Sequence, residues 1–513
     1  MKKMITFFMC VMLFLCPLSV KAETSLKVLE LPGDDGSGYP IIGINSGYNE
    51  NPDVHEVVVP ENIVLLGERI FLNNTNLSKI ELHSKIQKIG ENAFKGTAFY
   101  ENSNNWDEQG VLYIGDALIE ANPEKIGDSY EIRPGTRIIA DGAAQGCWKM
   151  TEVITPDSLV HIGMNAFSYC EKLERVSLGE RAETLGRGPF YQCDLKEIVV
   201  DEGNVHFEVS EEGVLMDEEL THILKCPQQL GGTLKLPSQV TNINAYAFEG
   251  CKNIDGITLP EECIFIGEYA FSNCNELTTV VFTEKLEYID SYAFAGCDFL
   301  EIIEIPDNVT YLGESAFENC TNLKYAVLGD GIEELQDEIF EKCYNLDHVE
   351  FGRFVSRISA TAFYDTKYLY NIDNYEDGLL IDYYGGCLIR VAPWVKICEI
   401  PDSVQVIADG AFDDTNVHGE LKKIYIPKDI FRFNWAAFGN VSDDVKLYYD
   451  GSTEEFAEIA GADGENLNLI TKDLRQMGWR VAVVGVLCFA AVTLIVSSDR
   501  ENGEEQEEDY NEE

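Results

Sequence analysis

Residues 301–320, EIIEIPDNVTYLGESAFENC, carry a pattern that returns along the chain. With the preceding Leu300 it reads L-x-x-I-x-I-P-x-x-V-x-x-I-G-x-x-A-F-x-x-C. The Phe of the A-F pair serves as a marker, and in one copy Ala144 replaces this Phe. The thirteen markers are Phe71, Phe94, Ala144, Phe167, Phe190, Phe248, Phe271, Phe294, Phe317, Phe340, Phe363, Phe412 and Phe438. Eight of the twelve intervals between them are 23 residues. A fixed period of about 20–29 residues with this Leu/Ile spacing is typical of leucine-rich repeats.

Each copy predicts one strand and one turn-rich segment. Ile303 and Ile305 alternate as residues on one face of a short strand do, and Pro306 ends that strand. Apolar residues from Val309 to Phe317 recur at steps of three and four, which predicts a turn and a short helical or 3₁₀ segment. Stacked copies would pair their strands as a parallel sheet on one side, with the helical segments and turns on the other. The predicted fold is an α/β leucine-rich repeat solenoid.

Glycine and cysteine each occupy a recurring position. Glycine follows the last Ile or Leu of six copies, where we expect a tight turn that requires a residue without Cβ: Gly67, Gly90, Gly163, Gly186, Gly267 and Gly313. Cysteine lies three residues after the marker in eight copies: Cys147, Cys170, Cys193, Cys251, Cys274, Cys297, Cys320 and Cys343. Disulfides or a metal are the alternatives for an exported chain, but there is no CxxC pair and no Cys/His cluster. The column is predicted to hold buried free thiols.

Both ends of the chain suggest export and anchoring. Lys2 and Lys3 precede an apolar run and Ala22 ends an A-x-A-like site, so residues 1–22 are predicted to be a cleaved signal peptide. An uncleaved N-terminal anchor is the alternative, which the short apolar run disfavours. Residues 481–498 carry no charge, which predicts a membrane helix over 479–498 and an acidic, disordered cytoplasmic tail over 499–513. The repeats would then lie outside the cell.

The residues between these ends divide by their fit to the repeat. We predict an N-terminal cap region at 23–56, the solenoid at 57–443, a C-terminal cap at 444–460 with a helix beginning after Ser452, and a polar linker at 461–478. Three inserts interrupt the period, near 98–135, 202–236 and 370–402, and each contains a G-V-L or G-L-L run followed by a second strand-like run. We predict that each forms a hairpin-like turn. Departures of this kind commonly carry binding.

Composition and motifs limit the function. The formal charge of −51 argues against nucleic acid as a partner, because a nucleic-acid binder needs a basic surface. An acidic exterior keeps an exposed solenoid soluble, and we expect at most weak association with divalent cations. The seven His residues form no H-x-H or H-E-x-x-H pattern, and no phosphate-binding or dinucleotide-binding loop occurs. The sequence therefore predicts no catalytic residues, no metal site and no cofactor.

The template, its period, the inserts and the ending Y-Y-x-G-S-x-E-E-F at residues 448–456 resemble the BspA-like leucine-rich repeat proteins over roughly residues 40–460. The resemblance implies a β/α solenoid exposed on a bacterial or protist cell surface, in a family that includes adhesins for host matrix proteins and for other microbes. It transfers no ligand-binding residues. Ala144 in place of the marker Phe and Pro189 in place of the preceding Ala depart from the pattern.

We therefore expect a non-catalytic cell-surface protein that binds or adheres to an extracellular protein or glycan. A purely structural spacer is one alternative. A surface-anchored hydrolase is the other, and it would need acid, base or metal groups that converge in a pocket.

Two aromatic columns that the core does not require supply the candidate contact residues. The column two residues before the marker holds Tyr246, Tyr269 and Tyr292, and the column six before it holds Phe265, Tyr288 and Tyr311. Aromatic rings give large contact areas at little entropic cost and are enriched where surfaces meet partners. The competing interpretation is a structural ladder of rings along the solenoid. Trp106 and Trp394, in two of the inserts, are further candidate anchors.

Overall fold

The computed structural model describes residues 28–31, 43–44, 48–382, 384, 386–416, 420–438, 441–442, 444–460 and 468–471. The predicted signal peptide, membrane helix and acidic tail lie outside these residues. Within the described part of the chain, no helix is long and apolar enough to cross a membrane. The chain divides into two compact units, one formed by residues up to 302 with 315–323 and the other by residues 303–314 with those from 324 onward.

The first unit contains two kinds of parallel strand in each regular copy, which form a long-strand ladder and a short-strand ladder. The long strands are Val28–Glu30, Glu56–Val58, Lys79–Glu81, Ser129–Glu131, Glu152–Ile154, Arg175–Leu178, Glu197–Val200, Gly231–Lys235, Asn253–Thr258 and Thr279–Val281. The short strands are Gly43–Ile44, Leu65–Leu66, Lys88–Ile89, Ile138–Ile139, His161–Ile162, Thr184–Leu185, Asn242–Ile243, Phe265–Ile266 and Tyr288–Ile289. Successive copies pair in register, as Val153 does with Val176. The predicted parallel solenoid is confirmed.

The second unit repeats both ladders. Its long strands are Ile302–Glu304, Tyr325–Val327, His348–Glu350, Ile397–Glu399, Lys423–Ile426, Lys446–Tyr449 and Asn468–Ile470. Its short strands are Tyr311–Leu312, Glu334–Leu335, Arg357–Ile358, Val406–Ile407 and Arg432–Phe433.

All three inserts form antiparallel hairpins, as predicted. The paired strands are Val111–Ile114 with Ala117–Ala121, Leu215–Asp217 with His222–Lys225, and Leu379–Ile381 with Cys387–Val391. In the second insert Phe207–Val209 adds a third strand to the hairpin. The last strand of each hairpin pairs in parallel with the following short strand, so the hairpin joins the short-strand ladder.

The prediction of a helical segment in every copy is wrong. Val309 precedes a second strand, and turns follow that strand through the marker. In most turns no helix forms because the backbone is left-handed at two positions, the second residue before the marker and the second residue after it. Around Phe317 these are Ser315 and Asn319, with φ of 54° and 58°. A left-handed residue ends a right-handed helix, so the apolar spacing of three and four reflects consecutive turns.

Helices are few among the described residues, and most of them lie in or beside the inserts. The α-helices are Ala98–Glu101, Lys367–Tyr370 and Thr453–Ala460. The 3₁₀ helices are Ser103–Asn105, Ile372–Asn374, Asp413–Asn416 and Trp435–Phe438.

The marker rings form the centre of the core. Phe271 and Phe294 are fully buried and their ring centroids lie 5.0 Å apart with planes 4° apart. The same stacking joins Phe248 to Phe271 at 4.8 Å and Phe294 to Phe317 at 5.2 Å. Each ring therefore packs against the rings of the turns before and after it.

The recurring glycine is required by close packing of the backbone. A Cβ on Gly267 would lie 2.6 Å from the backbone nitrogen of Ala245, and one on Gly163 would lie 2.6 Å from the nitrogen of Asp141. The backbone of one turn thus passes directly against that of the preceding turn, which leaves no room for a side chain.

The prediction of thiols without disulfides is confirmed for the described cysteines, none of which forms a disulfide. In the column after the marker, successive thiols donate to carbonyls of the preceding turn. Cys274 Sγ lies 3.1 Å from Phe248 O, Cys297 Sγ 3.2 Å from Phe271 O, and Cys320 Sγ 3.2 Å from Phe294 O. Burial raises the pKa of the Cys274 and Cys297 thiols, so these two stay protonated donors.

The ladders extend beyond the repeats recognised in the sequence. Val28–Glu30, in the region predicted to be an N-terminal cap, pairs with Glu56–Val58. The predicted C-terminal helix is Thr453–Ala460, and Ser452 Oγ accepts from the backbone N–H of Glu455 at 3.2 Å. Asn468–Ile470 pairs with Lys446–Tyr449, so the stretch predicted to be a linker contributes a strand.

Candidate binding surface

Tyr246, Tyr269 and Tyr292 lie side by side on the first unit. Their ring centroids are 5.0 Å and 4.6 Å apart, with planes 13° and 2° apart. All three side chains are half-buried, so one edge of each ring faces solvent. The column predicted from the sequence is thus a continuous surface of rings.

Two further tyrosines extend this surface, and the sequence analysis missed both. Tyr191 meets Tyr246 edge to face at 5.4 Å, and Tyr169 meets Tyr191 in the same way at 5.3 Å. They follow their markers by one and two residues instead of preceding them. Aligning the repeats by their markers therefore places Tyr169 and Tyr191 in different columns from the other three tyrosines. We call the five residues, Tyr169, Tyr191, Tyr246, Tyr269 and Tyr292, the tyrosine ladder.

The backbone of the ladder favours other residue types at four of its positions, including Tyr169 with φ of 59°. Tyr246, Tyr269 and Tyr292 have φ of 62°, 55° and 57°. A left-handed conformation costs a residue with Cβ about 1–2 kcal/mol, less for Asn and nothing for Gly. The equivalent positions of other turns hold Asn92, Asn165, Gly142 and Gly188, and also Arg69, Ser315 and Glu338. Tyrosine is therefore present for its side chain and not for its backbone conformation.

The geometry restricts what the ladder can contact. The faces that Tyr246, Tyr269 and Tyr292 turn toward one another are covered, so a sugar has no free face to stack on between these rings. The Arg187 guanidinium lies 5.9 Å from the centroid of the Tyr246 ring. What remains exposed is the positive ring edge and the hydroxyl group. These groups suit the carbonyls and aliphatic side chains of a protein surface.

Burial raises the pKa of three ladder hydroxyls. It raises the pKa of Tyr269 to about 12, with a further contribution from Tyr292, and it raises the pKa of Tyr191 and Tyr246. These three hydroxyls are therefore neutral hydrogen-bond donors at physiological pH.

Two buried charged residues, Lys225 and Glu249, support the middle of the ladder. Lys225 and Glu249 are 3% and 1% exposed, and Lys225 Nζ donates to the carbonyl of Tyr246 at 3.0 Å. Gln192 Nε2 donates to Glu249 Oε1 at 3.0 Å. Burial raises the pKa of Glu249, and Lys225 opposes that shift. The second insert thus fixes Tyr246 through its last hairpin strand.

The column six before the marker is also on the surface. Phe265 and Tyr288 are register partners on neighbouring short strands, and Tyr288 is 45% exposed. Tyr311 is 38% exposed and belongs to the second unit.

The two tryptophans differ. Trp106 Nε1 donates to the carbonyl of Tyr100 at 2.7 Å, and its ring packs edge-on against the Tyr100 ring at 5.2 Å, which is a packing role within the first insert. Trp394 is 49% exposed and lies 6.3 Å from the Tyr375 ring. The structure therefore joins the tyrosines but places neither tryptophan in the ladder.

No group of three or more His, Cys, Asp or Glu that could hold a metal ion occurs among the described residues.

A family model described as "BspA type Leucine rich repeat region" matches residues 41–118, 128–211, 241–370 and 335–461. Among curated proteins, none matches the chain.

Solved structures with similarity to the chain include the pneumococcal vaccine antigen PcpA, at 18% identity and a TM-score of 0.41, covering 84% of this chain and 85% of that one. A leucine-rich cell surface protein from Faecalibacterium prausnitzii is 24% identical with a TM-score of 0.42, covering 61% of this chain and 83% of that one. A leucine-rich repeat protein from Bacteroides ovatus is 19% identical with a TM-score of 0.33, covering 82% and 91%.

Proposed function

The chain belongs to the BspA-type leucine-rich repeat family, and from that premise we propose that it is a non-catalytic cell-surface protein that binds an extracellular protein partner through the tyrosine ladder. In this proposal residues 1–22 direct export and 479–498 anchor the chain, with the repeats outside the cell and the tail in the cytoplasm.

The observation that carries the proposal is tyrosine in the left-handed column. Tyr246, Tyr269 and Tyr292 occupy positions where Asn or Gly would be easier to accommodate. Their half-buried rings contribute less to the core than the fully buried marker rings do. A binding role explains why the costlier residue is present three times in succession.

The nature of the partner follows from the exposed groups. Covered ring faces disfavour glycans, which bind by stacking a sugar on an open aromatic face. Exposed ring edges and neutral hydroxyl donors favour a protein surface with carbonyl acceptors and apolar side chains.

The test is adhesion of cells that display the full chain to immobilised extracellular matrix proteins and to a glycan array. The variant replaces Tyr246, Tyr269 and Tyr292 with Asn, which fits the left-handed backbone. We expect adhesion to at least one matrix protein, and at least a tenfold loss in the variant.

A matched control changes three exposed aromatics of the second unit, Tyr344, Phe354 and Tyr370, to Asn. Equal losses in the two variants would contradict a role for the ladder. Adhesion to glycans alone would contradict a protein partner, and no adhesion by the unaltered chain would favour a spacer.

Anchoring has a separate test. Protease treatment of intact cells should release the repeats, and deletion of residues 479–513 should release the protein into the medium. Continued membrane association after that deletion would contradict the proposed anchor.

A further inference from the structure

The long-strand ladder of the first unit stops at the second insert. Glu197–Val200 pairs with Arg175–Leu178 and is the last strand of its sheet in the described part of the chain. The next long strand, Gly231–Lys235, begins a separate sheet. Glu197–Val200 is therefore an edge strand with one unpaired side.

Backbone groups on that side point outward. The N–H groups of Glu197 and Asp201 donate to Glu174 O and Leu178 O at 3.2 Å and 2.9 Å. Because successive residues of a strand in a parallel sheet alternate in direction, the N–H and C=O groups of Ile198 and Val200 face away from the paired strand. Burial decreases along the strand, since Ile198 is 4% exposed while Val200 is half-buried, so the unpaired side opens at the Val200 end. The edge is open to another strand.

A groove of about 620 Å³ lies against this edge. Ile198, Val199 and Val200 form one wall, and Val205, Phe207 and Val209 of the second insert supply apolar groups elsewhere in the lining. Val205 is 63% exposed. The charged lining residues are all acidic: Asp201, Glu202, Glu208 and Glu218. The groove thus combines free backbone groups, aliphatic surface and negative charge.

We propose that this edge-strand groove binds an extended polypeptide segment with alternating basic and small aliphatic residues, which adds as a strand to Glu197–Val200. Strand addition satisfies the outward N–H and C=O groups of Ile198 and Val200. Alternation places one set of side chains on the valines and the other among the carboxylates. The charge of −51 makes a second copy of this chain a poor occupant, because its own surface is acidic.

The groove is separate from the tyrosine ladder, since no ladder residue is among those that line it. The proposed function of the groove can therefore be tested independently of the proposed adhesion.

The test measures binding of a fluorescent peptide, Lys-Val repeated four times, to the full chain by anisotropy. Two control peptides carry Glu in place of Lys, or the same side chains with alternate backbone nitrogens methylated. We expect saturable binding of the first peptide and at least tenfold weaker binding of both controls. Amide hydrogen exchange at Ile198 and Val200 should slow at least tenfold when the first peptide binds.

Charge variants separate the groove from general acidity. Glu202→Lys with Glu208→Lys should weaken binding at least tenfold. Glu171→Lys with Glu276→Lys changes two exposed acids of the same unit outside the groove by the same charge and should leave affinity within twofold. The Tyr246, Tyr269 and Tyr292 to Asn variant should also bind normally.

Three results would overturn the proposal. Strand addition requires the peptide N–H groups that methylation removes, so equal binding of the methylated and unmethylated peptides would exclude strand addition. Equal losses of peptide affinity in the two charge variants would show that the net charge of the protein, and not the groove, explains binding. Unchanged exchange at Ile198 and Val200 with the peptide bound would place the peptide elsewhere.

Discussion

Phe294 and Tyr292 lie two residues apart in the same turn, and each belongs to a stack of rings. Phe271 and Phe294 are 5.0 Å apart and Tyr269 and Tyr292 are 4.6 Å apart, with planes within 4° in both pairs. Only burial and backbone conformation differ, since Phe294 is fully buried while Tyr292 is half-buried and left-handed. A repeat stacks any ring placed in a column, so stacking by itself indicates neither stability nor binding. Burial distinguishes the two columns.

The largest effect should come from the core column. Phe294→Ala removes a fully buried ring that contacts Phe271 and Phe317, and should lower the free energy of unfolding by about 3–5 kcal/mol. Chemical denaturation followed by circular dichroism measures the change. A loss below about 1 kcal/mol would remove the distinction between the two columns.

The next effect concerns the close approach of successive turns. Gly267→Ala places a Cβ 2.6 Å from the backbone nitrogen of Ala245, and should cost about 1–3 kcal/mol through displacement of one turn against the other. Gly127→Ala is the control, because a Cβ there meets nothing within 4 Å. Similar denaturation midpoints for the two variants would show that the turns separate easily.

A half-buried carboxyl group, that of Glu120, should make stability depend on pH. Burial raises the pKa of Glu120 above its ordinary value of 4.5, although the Tyr100 hydroxyl donates to it at 2.7 Å and opposes the shift. Between 4.5 and the raised value the folded state binds more protons than the unfolded state, so its stability falls as the pH rises through that window.

Glu120→Gln keeps the hydrogen bond from Tyr100 without the charge, so its unfolding free energy should depend less on pH and exceed that of the parent at pH 7. Denaturation midpoints between pH 4.5 and 7 measure the difference. A steeper slope in the variant would mean that the sign of the Glu120 shift is opposite.

The smallest effect should come from the surface column. Tyr292→Asn loses a ring contact worth about 0.5–1.5 kcal/mol but relieves a left-handed backbone that costs a similar amount. We expect stability within about 1 kcal/mol of the parent. Tyr292→Ala loses the contact without the relief, so it should be less stable than Tyr292→Asn. The reverse order would mean that the backbone carries no strain at this position.

The periodicity of the sequence predicted the features that recur at a fixed position of the repeat. It did not predict the local backbone conformation. The marker rings, free thiols, hairpin inserts and the Tyr246, Tyr269 and Tyr292 column follow from spacing alone. The helical prediction failed because left-handed residues at Ser315 and Asn319 interrupt a spacing that turns and helices share.

The surface sites were less accessible to sequence reasoning. Tyr169 and Tyr191 join the ladder from two different repeat positions after their markers, so the spacing of the repeat does not group them with the other three tyrosines. The edge-strand groove was missed because it depends on which strands fail to pair, and pairing between Glu197–Val200 and Gly231–Lys235 is decided by how the insert packs.

The reactivity of the hydrogen-bonded thiols should depend on whether neighbouring turns are stacked. A thiol such as Cys297 is inaccessible while its turn is stacked on the preceding one, and it becomes reactive when that contact opens. Alkylation of individual cysteines under native conditions would therefore report the opening of individual turns. In an oxidising compartment each thiol would be open to oxidation during folding only until its turn stacks on the neighbouring turn.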